Sequence, residues 1–254
     1  MKILCVSDQI DPLIYSTKVK ERFSDVDLIL CAGDLPSEYI DFIVSSLNKP
    51  TYFIFGNHNL SEFGLYHKIK TQKGAHPTLQ DESKEYEMES SHGADYIGFR
   101  TEVNKHFRIK EKGKKEHPLL IAGVSGSMRY NGALSQYTNT EMFIYLLKLV
   151  PSLLINKIRY GKYLDIFLTH ASPRHIHDKE DPCHIGFECF NWFINKFTPT
   201  YLVHGHIHLY DMNAKRVTEV QTKNGVTTVV NAYSYTIIEL PKDEDSAQTS
   251  QDKE

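Results

Sequence analysis

The sequence predicts an α/β protein. Short apolar runs alternate with segments of helical periodicity along most of the chain. The runs stop at polar residues of a similar kind, and Val- and Thr-rich segments near the C-terminus add antiparallel strands.

Residues 2–7 form the first run and meet Asp8. Residues 27–32 lead into Gly33-Asp34, and residues 51–55 into Gly56-Asn57-His58. Residues 163–169 precede His170, and residues 200–203 precede His204-Gly205-His206. Each run has the length and apolar character of a buried strand, and a loop should begin where the polar residues start. Between them, residues 37–47 place Ile40, Ile43, Val44 and Leu47 at helical spacing behind Pro36, a first-turn residue. Residues 139–155 carry Met142, Phe143, Leu146, Leu147 and Val150 on one stripe, and Pro151 is expected to kink or end that helix. Residues 187–197 carry Phe187, Phe190, Phe193, Ile194 and Phe197. Strands alternating with helices imply parallel strands with right-handed crossovers. Residues 216–222, 226–232 and 235–240, with a turn at Asn224-Gly225, read as antiparallel strands completing a second sheet. The polar stretches 71–95 and 111–117 read as surface loops, and 241–254 as a disordered tail, leaving one domain over 1–240.

The 254 residues are 41% hydrophobic and 24% charged, an ordinary globular composition. The net charge of −3 gives no support to a basic nucleic-acid groove or an anionic membrane surface. The N-terminal run is too short for a signal peptide or a membrane span. The four cysteines, Cys5, Cys31, Cys183 and Cys189, show no CxxC spacing and read as reduced thiols. These features predict a cytoplasmic protein.

In an open α/β sheet, residues just past the carboxyl ends of the strands converge in space while staying far apart in sequence. Asp8, Asp34, Asn57, His58, His170, His206 and His208 all lie there. Carboxylate, amide oxygen and imidazole form a donor set for manganese, iron, nickel or zinc, and the absence of cysteine argues against a structural zinc. Singly, each has a plainer role. An Asp after a strand can cap a helix, Gly-Asn-His-Asn can be a turn, and His170 can be a hydrogen-bonded loop residue. The alternating imidazoles of His204-Gly205-His206-Ile207-His208 are harder to reduce to such a role.

Taken together, Asp8, Gly33-Asp34, Gly56-Asn57-His58, His170 and Gly205-His206-Ile207-His208 resemble the calcineurin-like metallophosphoesterase superfamily, in order and spacing, from residue 2 to about 240. The resemblance implies a four-layer α-β-β-α sandwich of two mixed β-sheets flanked by helices. It also implies one or two divalent metal ions at one edge. By that resemblance Asp34 bridges two metals, Asp8 and His208 bind the first, and Asn57, His170 and His206 bind the second. His58 contacts the phosphate and protonates the leaving oxygen. The implied reaction is hydrolysis of phosphate mono- or diesters by a metal-bound hydroxide.

The sequence departs from the family pattern at three points. Where the family has Asp-x-His, this chain has Asp8-Gln9-Ile10, so the first metal lacks an imidazole. Asp11 is the nearest substitute and Gln9 a weaker one, although Asp11 before Pro12 also suits a turn. Alternatively the first metal binds weakly, or the enzyme works with one metal. Second, Gly33-Asp34-Leu35-Pro36-Ser37 ends in Ser where a second acid is usual. Third, Asn59 stands where an acid usually orients the catalytic His. Two further clusters resemble one bacterial branch of the superfamily. In the first, around Gly126 to Asn131, Arg129 suits either a phosphate or a surface ion pair. In the second, His177, Asp178 and His184 either shape the pocket, supply the missing ligand, or hold their loop by internal hydrogen bonds.

The competing reading is a binding scaffold of the same fold with weak or lost catalysis. Loss of the Asp-x-His imidazole favours it, and retention of His58 opposes it. The expected partner is a phosphate-ester substrate, with no membrane, nucleic acid disfavoured, and an oligomer left open. The basic run from Lys105 to Lys115 reads as a solvated strand edge or loop.

Overall fold

The apolar runs become strands buried on both faces, and they build two sheets rather than one. The structure, a computed structural model, describes residues 1–60, 63–66, 93–111, 113–211 and 214–241. Most of the 71–95 loop and of the 241–254 tail lies outside them. The first sheet joins β1 (Lys2–Ser7), β2 (Leu28–Cys31), β3 (Thr51–Phe53), β4 (Asp95–Tyr96) and β13 (Ser234–Glu239) in the order β13-β1-β2-β3-β4. The second joins β5 (Arg100–Ile109), β6 (His117–Val124), β9 (Ile166–Thr169), β10 (Tyr201–His204), β11 (Val217–Thr222) and β12 (Gly225–Asn231) in the order β11-β12-β10-β9-β6-β5. A small third ladder pairs β7 (Ser127–Met128) with β8 (Gln136–Tyr137).

Side chains alternate across a strand, so each apolar run serves two cores at once. Ile3, Cys5, Leu28 and Leu30 of the first sheet meet Leu119, Ile121, Ile166, Leu168 and Val203 of the second. The intervening Leu4, Val6, Ile29 and Cys31 pack with α1 (Val19–Phe23) and α2 (Ser37–Leu47). On the far side, Leu120, Phe167 and Leu202 pack with α4 (Asn139–Tyr160) and α5 (Glu188–Phe197). A short α3 (Phe63–Tyr66) follows the Gly56-Asn57-His58 segment. The result is the four-layer α-β-β-α sandwich. Burying each of these Leu, Ile or Phe side chains contributes about 1.5–3 kcal/mol, so the three cores hold the sheets in register.

The structure differs from the sequence reading in several elements. Helix α4 does not end at Pro151, because that residue lies on the exposed side, where the carbonyl it leaves unpaired can meet water. Leu147 is exposed, and Leu149 takes its place on the buried stripe. The C-terminal strands divide. Strands β11 and β12 form the expected hairpin, but β13 crosses to the first sheet and pairs antiparallel with β1. It places Ile238 in the core between the sheets. Strand β12 itself runs parallel to β10. The fully buried β6 begins at His117, inside the expected 111–117 loop. Its partner β5 is an edge strand whose alternation breaks at a register shift between Asn104 and Arg108. The basic residues from Lys105 onward therefore start on a strand edge.

The 111–117 segment is tied down by charge. Glu111 accepts from Lys114 and Lys162, and Lys162 Nζ also lies 2.9 Å from the fully buried Asp165. Burial would raise the Glu111 carboxyl, but its bonds to the two lysines outweigh this and hold it at about 2. A carboxyl lowered from 4.5 stabilises the fold above pH 4.5 and loses that contribution as pH falls toward 2. Glu111→Gln should therefore lower the urea midpoint at neutral pH and flatten its decline between those two pH values. A decline as steep as the wild type's would show that another group is responsible.

Candidate metal centre

The loops that leave β1, β2, β3, β9 and β10 meet at one edge of the sandwich. Asp8, Asp34 and His206 all have positive φ, at 64°, 56° and 66°. Non-glycine residues pay for that conformation, which is common at ligand sites. Two of them centre tight three-residue turns. Gln9 N–H donates to the Ser7 carbonyl and Ile207 N–H to the Gly205 carbonyl, each at 2.7 Å. The Asp8 carboxylate then accepts the His206 N–H at 2.9 and 3.0 Å and the Ser7 hydroxyl. Gly205 makes this approach possible, since a Cβ there would sit 1.8 Å from Ser7 Oγ and 2.5 Å from Asp8 Oδ2.

Asp34, His170 and His206 are buried, and their ligand atoms lie within 4.8 Å of one another. Backbone carbonyls fix the two imidazoles. His170 Nδ1 donates to the Ala32 carbonyl at 2.8 Å, and His206 Nε2 to the Cys183 carbonyl at 2.7 Å. A carbonyl only accepts, so these nitrogens carry the protons and the opposite ones keep lone pairs. The Asn57 amide donates to the Tyr130 hydroxyl at 3.3 Å, which turns its oxygen to His170 Nε2 at 3.1 Å. Asp34 Oδ2 stands 3.3 Å from the same nitrogen. Three acceptor atoms thus converge with no donor of their own among them. Such a group is stable only with a cation or a proton at its centre.

The electrostatics agree. Burial would raise Asp34, but the charge and hydrogen bond of His170, with the His58 N–H at 2.7 Å, hold it far below the usual carboxylate range. Burial would lower His170, but Asp34 and Asp8 raise it to about 9, so a proton takes the centre of the group at Nε2 when no cation does, and a bound cation would displace it. Burial and the His170 charge push His206 down, so its ring is neutral and its lone pair is free to ligate.

The half of the site around Asp8 is looser. His208 Nε2 lies 3.7 Å from Asp8 Oδ1. Its Nδ1 bonds the Tyr210 hydroxyl at 2.7 Å, and its ring centre is 4.8 Å from that of Tyr233. Ile10, at the place of the missing imidazole, is 43% exposed. Asp11 is not among the gathered ligand atoms. Its carboxylate accepts the Leu13 N–H at 2.8 Å and the Ser234 hydroxyl, the pattern of a turn residue.

The remaining predicted residues divide. His58 is exposed beside Asp34, and Asn59 Nδ2 donates at 3.0 Å to the Asp34 carbonyl. The His184 ring centre is 5.2 Å from that of His206, and its Nδ1 lies 2.7 Å from Asp181 Oδ1. His177 turns away to His204 and Thr218, at 2.9 and 2.8 Å. The His204 Nδ1 faces the Gly205 carbonyl, so this chain of neutral imidazoles braces the loop that carries His206. Asp178 binds Arg174 at 2.6 Å and the Gly186 N–H at 3.1 Å, holding its own loop. Arg129 forms an ion pair with Glu141 at 2.9 Å at the start of α4.

The model of the calcineurin-like phosphoesterase family matches residues 1–210. The chain belongs to that family. Its members are metal-dependent phosphoester hydrolases, and the converging donors fit that chemistry. One solved crystal structure superposes with a TM-score of 0.54 at 14% identity, covering 93% of this chain and 94% of that chain, and so shares the fold. The sulfate thiohydrolase SoxB of Thermus thermophilus, solved with glycerol, aligns at 10% identity and a TM-score of 0.43. That alignment covers 91% of this chain and 39% of SoxB. No curated protein matches the chain.

Sequence reasoning missed the groups that orient the ligands. The Ala32 and Cys183 carbonyls carry no side-chain signal. Tyr130 and Tyr233 are ordinary tyrosines until folding sets them beside Asn57 and His208. Ser7, adjacent to Asp8, was the one legible in principle, because a hydroxyl next to a buried carboxylate commonly donates to it.

Proposed function

We propose that this chain hydrolyses phosphate mono- or diesters with at least one divalent cation held by Asp34, Asn57, His170 and His206. The reading rests on one observation, the convergence of Asp34 Oδ2, Asn57 Oδ1 and His170 Nε2, whose lone pairs call for a cation. Mixed carboxylate, amide and imidazole donors suit manganese, iron, zinc or nickel. When bound, such a cation makes water acidic near neutral pH and offsets the charge of the phosphate oxygens. Asp8 and His208, together with Asp34, would hold a second cation at the same edge. His58, exposed at the mouth, gives a proton to the departing oxygen. Its backbone N–H on Asp34 fixes where the ring stands. His206 is kept in its ligating form by the Cys183 carbonyl. Phosphate esters of the cytoplasm are the substrates, in keeping with four free thiols. No helix among the described residues is long and apolar enough to cross a membrane.

Elemental analysis of the purified protein, paired with hydrolysis of mono- and bis-p-nitrophenyl phosphate in added manganese, tests this reading. Turnover with bound transition metal supports it. A protein that binds no transition metal and cleaves neither ester is a scaffold. The ligand replacing Ile10 is decided by stoichiometry. Asp11→Ala should leave the metal content unchanged, because both its oxygens serve the turn and Ser234. His184→Ala should lower it if the ring packed beside His206 reaches a metal. Loss of a metal in Asp11→Ala instead would return that role to Asp11.

A further inference from the structure

Helix α4 is apolar on two opposite sides. Met142, Leu146, Leu149 and Leu153 are buried in the core that packs on the second sheet. Ile144, Leu147, Pro151, Leu154 and Ile158 form another series, spaced by three and four residues in turn. At about 100° per residue the series centres roughly 160° around the helix from the buried set. These side chains face solvent: Ile144 is 51% exposed, Leu147 45%, Leu154 47% and Ile158 83%. Ile155, on the margin of the stripe, is 48% exposed. A helix that is apolar on opposite sides is built to lie between two partners, and only one is present among the described residues.

We infer that α4 is a two-fold dimer interface, packed antiparallel on the α4 of a second copy. With Ile155 included, the stripe is nearly symmetric about Pro151, the exception being Leu154, whose mirror position is Lys148. Ile144 and Ile158 lie seven residues to either side, and Leu147 and Ile155 lie four. Antiparallel pairing centred on Pro151 therefore sets Ile144 on Ile158, Leu147 on Ile155, and Pro151 on its own copy. That self-complementarity is what an isologous contact requires. Charge selects the same direction. Glu141 is the only acid of the helix and lies in its first turn, while Lys157 and Arg159 lie in its last. Antiparallel packing brings Glu141 toward the basic end of the other copy and opposes the helix dipoles, whereas parallel packing sets like ends together. A membrane surface is the poorer partner, since a helix lying in a bilayer interface turns its polar face to water, and here the opposite face is buried in protein.

Sedimentation of the full chain should give twice the monomer mass of 29.3 kDa. Leu147→Lys/Leu154→Lys, which keeps good helix formers at exposed positions, should weaken association by at least about a hundredfold with an unchanged far-ultraviolet circular dichroism spectrum. Single cysteines give the direction. Pro151→Cys should cross-link to itself under oxidation. Ile144→Cys and Ile158→Cys should cross-link to each other when mixed, and neither alone. The wild type sets the background. A wild type that stays monomeric at about 50 μM overturns the inference, because a specific homodimer of standard interface size associates below that concentration. A dimer untouched by the double substitution, or Ile144→Cys linking to itself, overturns it equally.

Discussion

Asp34→Ala is expected to lower kcat/KM on phosphate esters by at least about a thousandfold, the scale of several kcal/mol of transition-state stabilisation. The residue joins three partners at the site. Its Oδ1 accepts the His58 N–H, its Oδ2 faces His170, and its carbonyl receives Asn59. Removing the carboxylate takes a charged donor from the cation and frees the loop that carries His58. Asp34→Asn separates these effects, because it keeps the size and one acceptor oxygen while losing the charge. Steady-state kinetics with elemental analysis of each variant reads the result. Full activity in Asp34→Ala would place the chemistry elsewhere in the chain.

Gly56→Ala is expected to be nearly as damaging although it replaces none of the converging donors. A Cβ at Gly56 would sit 2.0 Å from Asp34 Oδ1 and 2.6 Å from His170 Cε1. Both atoms belong to side chains already held on several sides, so neither can retreat without breaking the convergence with Asn57. Overpacking of this kind costs about 2–3 kcal/mol. For a protein of this size that is a fall in melting temperature of roughly 4–12 °C. Metal content should fall in parallel, because the first methyl contact is with a ligand carboxylate. A variant that melts and binds metal like the wild type would mean that the site relaxes far more than its buried, many-partnered geometry implies.

Much of this protein was legible before any coordinates. Runs of four to seven residues, mostly apolar and ending at Asp, Asn or His, can be read as buried strands feeding one edge, and Asp34, Asn57, His170 and His206 do gather there. Backbone periodicity and residue chemistry are local, and sequence carries them directly. Strands β5 and β6 were harder to read. The first is an edge strand with a broken alternation, and the second has its polar His117 buried by a distant segment. The destination of β13 was likewise not local, since a Val- and Thr-rich strand fits either sheet until its partner is known.

The roles of Arg129, Asp11 and His177 turned on the same limit. Each is a competent ligand or anion-binding group by chemistry. Each is claimed by a neighbour remote in sequence or set by a turn: Glu141 for Arg129, Ser234 for Asp11, His204 and Thr218 for His177. Sequence by itself determined which residues can bind a metal and that they lie past strand ends. Only the tertiary structure decided which lone pairs are left over. A hydrogen bond to a carbonyl such as Ala32 or Cys183 sets the proton on one side of an imidazole, and the free side then defines where a cation goes.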